Sequence, residues 1–206
     1  MRVAVVGGTG DFGLALARQL AAAGEHVVVI GSRDAERAHA KAVEAGAAHG
    51  THNADAVQDV DIVVLAVKAD AALATAAELA DAIGDTPVLS VASELRFTKA
   101  GVFPTDETRS VAERMQDILR GPVVAGLHSL AASSLADGKA HGDALVCGDD
   151  LAAKDLALTL ASDVVTGRAF DAGPLASARA LEGLTAVIVN LNRRYKGHAG
   201  VDIVGL

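Results

Sequence analysis

Aromatic residues, cysteines and long apolar runs are all scarce in this chain of 206 residues. Aromatic side chains make up 2% of it and Trp is absent, so a base-stacking platform for single-stranded nucleic acid lacks its main material. The formal net charge of −8 also opposes binding to phosphate backbones. Cys147 is the only cysteine, which excludes an internal disulfide and a cysteine-based zinc site. We therefore expect no nucleic-acid partner and a reducing compartment.

Membrane-spanning and secretory segments are not apparent either. No uncharged apolar run approaches the roughly 18 residues that a spanning helix needs. The apolar run at the amino terminus reaches Gly7 after four residues, Val3 to Val6, and is too short for a secretory signal. With 51% hydrophobic and 21% charged residues, the chain can bury a substantial core. These features predict a soluble, cytoplasmic, globular protein with no membrane partner.

Strand patterns alternate with helical patterns along the first half of the chain. Arg2 to Val6 is a short strand-like run, and the residues from Phe12 to Ala23 repeat apolar side chains at helical spacing. Further strands are predicted at 26–30, 61–67 and 87–90, with helices at 34–44 and 71–83. Strands that are apolar throughout are typical of parallel sheets covered on both faces. The predicted fold class is therefore α/β.

A glycine-rich motif follows the first predicted strand and opens the first predicted helix. It reads Gly8-Thr9-Gly10-Asp11-Phe12-Gly13 and matches the Gly-x-Gly-x-x-Gly pattern of dinucleotide-binding loops. We expect Gly8 to take the tight turn, Gly10 to admit a pyrophosphate and Gly13 to let helix and strand pack closely. The helix dipole and free N–H groups would then face the anion.

The end of the second predicted strand indicates which dinucleotide binds. An NAD site usually has an acidic residue here, whereas this chain has Ser32 and Arg33, with Arg37 one helical turn further on. Two guanidinium groups and a hydroxyl suit a 2′-phosphate, so NADP(H) is the predicted cofactor. The alternative is that Ser32 caps the next helix while the arginines are solvated. On the first interpretation, residues 1–120 form a Rossmann-type NADP-binding domain with a parallel sheet.

The second half is predicted to form a small C-terminal α/β lobe, residues 121–206, that would not fold alone. Residues 96–105 carry loop signals, and a helix is predicted at 110–119. Strands are expected at 123–127, 144–147 and 168–170, with helices at 151–164 and 175–195. Because the last helix is apolar on more than one side between Leu184 and Leu191, we expect it to be buried or to form a homodimer contact.

Several catalytic classes lack their residues. The only tyrosine, Tyr195, is followed four residues later by Ala199, so the Tyr-x-x-x-Lys pair of short-chain dehydrogenases is missing. The glycine loop has no following Lys-Ser or Lys-Thr, and there is no Gly-x-Ser-x-Gly elbow. His49 and His52 are expected to lie in a solvated loop rather than to hold a metal. No catalytic side chain or metal site is predicted.

Four segments of the second half extend the pattern: Gly126-Leu127-His128-Ser129, Val146-Cys147-Gly148-Asp149-Asp150, Asp171-Ala172-Gly173-Pro174-Leu175 and Asn192-Arg193-Arg194-Tyr195-Lys196. Together with the two nucleotide motifs, in this order and spacing, they make the chain resemble NADPH-dependent reductases of coenzyme F420 over essentially its whole length. The resemblance implies hydride exchange between NADP(H) and this deazaflavin, two small-molecule coenzymes, in a cleft between domain and lobe. It implies cofactor contacts at Gly8, Thr9, Gly10, Asp11, Phe12, Ser32, Arg33, Arg37, Val67, Ala69, Leu73, His128 and Ala132.

The individual motifs of the lobe also have structural interpretations. The Cys147 to Asp150 segment is expected to be a strand end, a turn and a helix cap. The cations from Arg193 to Lys196 are favoured at a helix end by the dipole, and contact with an anionic coenzyme tail is a further hypothesis for them.

The chain departs from the family pattern after the fourth strand. Val67-Lys68-Ala69 stands where relatives usually carry Pro and an aromatic residue beside the nicotinamide. Two alternatives to F420 reduction follow from this change. One is an NADPH-dependent reductase of another small substrate, an imine or a ketone, in which Lys68 would serve. The other is a non-catalytic module that senses NADP(H).

Overall fold

The computed structural model describes every residue from Met1 to Leu206. The strands are β1 (Arg2–Val6), β2 (Val27–Ser32), β3 (His49–His52), β4 (Ile62–Leu65), β5 (Val88–Ser90), β6 (Leu95–Thr98), β7 (Gly101–Pro104), β8 (Val123–Gly126), β9 (Ala144–Gly148) and β10 (Ala169–Asp171). The helices are α1 (Asp11–Ala23), α2 (Ala35–Ala45), α3 (Asn53–Ala56), α4 (Ala69–Ile83), α5 (Val111–Gln116), α6 (Ala132–Ala136), α7 (Leu151–Val164) and α8 (Ala178–Tyr195), with a 3-10 turn at Leu175–Ser177 before α8.

Eight strands form one sheet in the order β10-β9-β8-β5-β4-β1-β2-β3. The six strands from β8 to β3 in this order are parallel, as the apolar strand patterns predict. The sheet is not wholly parallel, however, because β9 runs antiparallel to β8 and β10 runs parallel to β9. The carboxyl ends of β9 and β10 therefore lie on the side of the sheet where the other six strands have their amino ends.

Helices cover both faces of the sheet and create two apolar cores. One core includes Leu16 and Leu20 of α1 and Leu160 of α7, which are fully buried against the sheet. The other core includes Leu79 of α4 and Met115 of α5. Burial on both faces explains why the central strands contain apolar residues at consecutive positions. None of the helices combines the length and the hydropathy that a membrane-spanning segment requires.

Two segments that were expected to be loops are strands. His49 and His52 lie in β3, which pairs with β2, although both side chains remain exposed. Most of residues 96–105 belong to the β6–β7 hairpin, which packs against α8. Both segments are short and lack an apolar repeat, so their strand structure depends on tertiary pairing that no local pattern reports.

The predicted domain and lobe share the main sheet. Strands β8 to β10 come from residues 121–206 and continue the sheet begun by β1 to β5. The last helix, α8, packs against β7 and α5 from the first part of the chain. The division at residue 120 remains a prediction, and it falls just before β8.

Candidate functional site

A cavity of about 890 Å³ opens at the carboxyl ends of the parallel strands. Strand β1 lies between β2 and β4, so the chain changes direction across the sheet at this point, where open α/β folds bind ligands. The cavity is within the usual size range for small-molecule sites. It is lined by the β1–α1 loop, the loops after β4, β5 and β8, the hairpin residue Phe97, and α8.

The β1–α1 loop is shaped by three closely packed glycines. Gly7 has φ +80° and takes the left-handed turn, so the expectation that Gly8 takes it is wrong. Gly8 is needed for a different reason, since a Cβ there would lie 2.9 Å from the Val5 carbonyl oxygen. At Gly13 a Cβ would lie 2.5 Å from the Gly7 carbonyl oxygen, so the close contact is between α1 and the loop that follows β1, whereas the prediction placed it between the helix and the strand.

The amino end of α1 faces the cavity. Gly10 is the N-cap and offers no side chain to the helix, and the first helical bond is from the Leu14 N–H to the Gly10 carbonyl. The N–H groups from Asp11 to Gly13 therefore have no partner within the helix. A Cβ at Gly10 would meet only the Gly7 carbonyl oxygen, at 3.4 Å. This surface can accept an anion.

The end of β2 lies beside this loop, because the Gly7 N–H donates to the Gly31 carbonyl at 3.2 Å. Asp34, not Ser32, caps α2 by accepting from the Arg37 N–H at 3.0 Å, so the capping alternative for Ser32 is wrong. The Ser32 hydroxyl accepts from the Asp34 N–H at 3.2 Å.

The two arginines that follow β2 are exposed and form no ion pair. An Arg37 Nη2 donates to the Thr9 carbonyl at 3.3 Å and so joins α2 to the glycine loop. Two uncompensated guanidinium groups thus lie beside the glycine loop.

The β4–α4 connection forms another wall of the cavity through Val67, Lys68, Ala69 and Asp70. Lys68 is the N-cap of α4 but its side chain does not cap the helix. The ammonium group has no ion-pair partner in the chain, so this wall combines two apolar side chains with an unpaired cation and the Asp70 carboxylate.

His128 is 5% exposed and lines the opposite wall. Its Nε2 lies 3.3 Å from the Ala92 carbonyl oxygen, and since a carbonyl only accepts, Nε2 carries the proton. Burial lowers the pKa of His128 to about 4, so the ring is neutral near pH 7. Its Nδ1 is buried without a hydrogen-bond partner. That atom is left as an acceptor for an N–H or O–H group.

Helix α8 supplies cavity residues that sequence reasoning did not assign to the site. Thr185 and Val189 line the cavity, and the Thr185 hydroxyl donates to the His128 carbonyl at 2.8 Å. The Ser93 hydroxyl lies 2.8 Å from the Thr185 hydroxyl. The only hint in the sequence was that a threonine, Thr185, interrupts the apolar stretch of the last helix. Its partners, Ser93 and His128, are too far away in the sequence for this contact to be predicted.

The predicted contact residues lie in three places. Those that line the cavity are Gly10, Asp11, Phe12, Val67, Ala69, His128 and Ala132. Gly8, Thr9, Ser32, Arg33 and Arg37 lie beyond it, at the glycine loop and the end of β2. Leu73 lies on α4 and packs against the second apolar core instead of lining the cavity.

The Cys147–Asp150 and Asp171–Leu175 segments of the second half have structural roles away from the cavity. Asp150 caps α7 by accepting from the Ala153 N–H at 2.8 Å, as expected. Burial raises the pKa of the Cys147 thiol to about 12, so this thiol is not a nucleophile at neutral pH. Lys154 pairs with Asp171 at 2.9 Å. No three His, Cys, Asp or Glu side chains are grouped so that they could hold a metal ion.

Comparisons with known proteins agree with this arrangement. Residues 2–94 match the family model described as "NADP oxidoreductase coenzyme F420-dependent". The F420-dependent NADP reductase of Methanothermobacter marburgensis is 34% identical, covering 100% of this chain and 99% of that protein. The protein of the same name from Methanothermobacter thermautotrophicus is 36% identical, covering 100% of this chain and 96% of that protein.

Solved structures agree at the level of the fold. The crystal structure of a putative F420-dependent NADP reductase from Arthrobacter sp. FB24 is 26% identical, has a TM-score of 0.82 and covers 100% of both chains. An imine reductase from Streptomyces aurantiacus, at 20% identity and a TM-score of 0.63, covers 95% of this chain and 62% of its own length, and shares the fold alone. The full-length sequence matches show that the chain belongs to the family of F420-dependent NADP reductases.

Proposed function

We propose that this protein is an oxidoreductase that transfers a hydride between NADP(H) and coenzyme F420. The observation that carries the proposal is a single cavity that joins a dinucleotide-binding loop to a second wall formed by His128 and α8. The relatives that match the whole chain are named as F420-dependent NADP reductases, which adds the identity of the second substrate.

The residues of the β1–α1 loop and of the β2 end fit NADP(H). The free N–H groups at the start of α1 suit the pyrophosphate. Ser32, Arg33 and Arg37 would hold the 2′-phosphate, because a dianion gains charge-assisted hydrogen bonds from guanidinium groups. Val67 and Ala69 would then form the wall beside the nicotinamide.

The second wall fits a flat, largely apolar heterocycle. Leu130 and Val189 supply apolar surface, and the neutral, largely buried His128 ring borders it. We propose that the deazaflavin lies here, so that residues 121–206 contribute most of its contacts and residues 1–120 hold NADP(H). The Phe97 ring, from the hairpin, extends the same wall.

The contribution of the chain to the chemistry is positioning and exclusion of water. When both coenzymes are bound, C4 of the nicotinamide and C5 of the deazaflavin supply the entire redox couple. The Thr185 hydroxyl fixes the His128 carbonyl, and Ala92 fixes the ring, so that the wall is rigid before ligands arrive. Preorganisation of this kind favours a reaction that proceeds by proximity and orientation.

The two alternatives raised by Lys68 are not favoured. The imine reductases resemble the chain at 20% identity or less, and this likeness concerns the fold only. A pure sensor would not need a second wall of this size beside the dinucleotide loop.

The function is tested by mixing the purified protein with oxidised F420 and either NADPH or NADH. The proposal predicts loss of the deazaflavin's visible absorbance with NADPH, and a much slower loss with NADH. A preparation that binds NADPH but never bleaches F420 would disprove the proposed function.

We also propose that the protein is a cytoplasmic homodimer joined through α8. Val187, Leu191 and Tyr195 recur every four residues on its outer face, and Val187 is 54% exposed. Apolar side chains at this spacing form a continuous stripe, which a second copy of the same helix could cover. A cytoplasmic location is supported by the free thiol and by the proposed use of NADP(H).

The dimer is tested by light scattering after gel filtration. The expected mass is twice the 20.7 kDa of one chain, and Val187→Lys should shift it to that of the monomer. Val43→Lys, on α2, is the matched control, because Val43 is also exposed, at 72%, but lies outside the stripe. A wild-type mass of one chain would refute the dimer.

A further inference from the structure

A second, smaller pocket of about 350 Å³ lies between the turn of the β6–β7 hairpin and the last turns of α8. It plays no part in the proposed hydride transfer. Its lining residues are Lys99, Ala100, Gly101, Asn190, Arg193 and Arg194. Three of these six are cationic and none is acidic.

The three cations are uncompensated. Lys99, Arg193 and Arg194 form no ion pair within the chain. Other exposed or half-buried arginines and lysines of the chain do have carboxylate partners. The whole chain carries a net charge of −8, so a pocket with three positive charges and no carboxylate is a local reversal of sign. Such a concave positive surface concentrates anions.

The pocket is formed before any ligand arrives. The Asn190 side chain accepts from the Val102 N–H at 2.9 Å and donates to the Val102 carbonyl at 2.7 Å, which holds α8 against the hairpin. The guanidinium carbon of Arg193 lies 5.6 Å from the centre of the Phe97 ring, within the range of a cation–π contact. Both the wall and one of the charges are therefore held in place.

The pocket adjoins the main cavity. Phe97 lines the main cavity and lies under Arg193, which lines the second pocket. On α8, Val189 faces the cavity and the next residue, Asn190, faces the pocket. An elongated ligand whose ring lies on the α8 side of the cavity could therefore pass Phe97 and place an anionic end between these cations.

We propose that this pocket binds the anionic tail of the deazaflavin coenzyme through its carboxylate or phosphate groups. The inference rests on the proposed function and deepens it, because it assigns the selection between tailed and tail-less deazaflavins to Lys99, Arg193 and Arg194. Arginine and lysine side chains suit both anions, and arginine adds bidentate geometry.

The test compares F420 with the same deazaflavin lacking its acidic tail, under steady-state reduction by NADPH. The preference is the ratio of kcat/KM for the tailed substrate to that for the tail-less one. The double variant Lys99→Gln with Arg194→Gln should reduce this preference about 3- to 20-fold, the range expected for two exposed charge contacts. The wild-type preference should also fall as salt is added. Arg120→Gln, an exposed arginine just before the amino end of β8 and outside both pockets, should keep the wild-type ratio.

The possible failures are distinguishable. If the wild-type protein reduces both deazaflavins and the double variant shows the same preference, the tail assignment is wrong while the proposed function stands. Calorimetric binding of inorganic phosphate to the wild-type protein but not to the double variant, with an unchanged preference, would make the pocket a site for a free anion and also overturn the assignment. If neither deazaflavin is reduced by protein that binds NADPH, the proposed function itself fails, and the tail assignment with it.

Discussion

Replacing Arg33 with Gln should separate the two nicotinamide cofactors. Arg33 follows β2 with an exposed, unpaired guanidinium group, so its loss leaves no buried charge without a partner and should not disturb the fold. A hydrogen bond to a charged group contributes about 1.5 to 3 kcal/mol, which corresponds to a loss of roughly 10- to 100-fold in affinity for NADPH. NADH has no 2′-phosphate, so its affinity should change little.

Arg37 provides a graded comparison. Its Nη2 already donates to the Thr9 carbonyl at 3.3 Å, so Arg37→Gln removes a loop contact as well as a charge and should weaken both cofactors, NADPH more than NADH. Calorimetric titration of both variants with NADPH and with NADH gives four affinities, each of which is divided by the wild-type value. Arg120→Gln serves as the charge control. An equal loss of NADPH and NADH affinity in the Arg33 variant would refute the assignment of this site to the 2′-phosphate.

Other predictions follow from packing and burial. Gly13→Ala should lower Tm by about 2 to 12 °C, because the new Cβ would press on the Gly7 carbonyl at a cost of about 1–3 kcal/mol. Gly10→Ala should keep the wild-type Tm but bind NADPH at least about tenfold more weakly, because its Cβ would face the pyrophosphate; unchanged binding would place the dinucleotide elsewhere. As pH falls from 6.5 to 4, the free energy of unfolding should decrease less for His128→Gln than for the wild-type protein. The reason is that the unfolded chain takes up a proton on His128 that the folded state, with a pKa of about 4, resists, a difference of about 3 kcal/mol at pH 4. For Glu182→Gln the difference should appear on raising the pH instead. Burial raises the pKa of Glu182 to about 7, so the free energy of unfolding of the wild-type protein should decrease by about 3 kcal/mol as pH rises from 4.5 to 7.5. The variant should lack this decrease. Urea unfolding at a series of pH values measures both effects, and profiles parallel to the wild-type curve would contradict them.

The strongly periodic elements could be predicted from the sequence. The helix predicted at 151–164 has the bounds Leu151–Val164 in the structure, and the first strand is Arg2–Val6 as expected. These segments bury apolar residues at a regular spacing, and that spacing is visible in the sequence. The reversed direction of β9 has no such signal, because strand direction depends on the path of the connecting chain.

The dinucleotide half of the candidate site was predictable, because its chemistry is local. The glycine spacing and the residues after β2 lie within two short segments. The details differ from the sequence-based expectation, because Gly7 and not Gly8 takes the left-handed turn, and Asp34 and not Ser32 caps α2. The second wall was predicted only in part. Thr185 reaches His128 across 57 residues of sequence, and this contact exists only because α8 packs beside the end of β8.

Buried polar groups were the least predictable feature. Glu182 is fully buried on α8, where its Oε1 accepts from the Val111 N–H at 2.7 Å and so binds the start of α5. A glutamate on an amphipathic helix is ordinarily expected on the solvent side. Only the position of α5 in three dimensions explains its burial.

Direct transfer of a labelled hydride tests the central claim most directly. NADPH carrying deuterium at both C4 positions is mixed with oxidised F420 and the protein in ordinary water, and the reduced deazaflavin is examined by NMR after a single turnover. Because the cavity supplies no side chain that must carry the hydride, the account predicts one deuterium at C5 of the product. A reduced deazaflavin that carries no deuterium at C5 would contradict direct transfer between the two coenzymes.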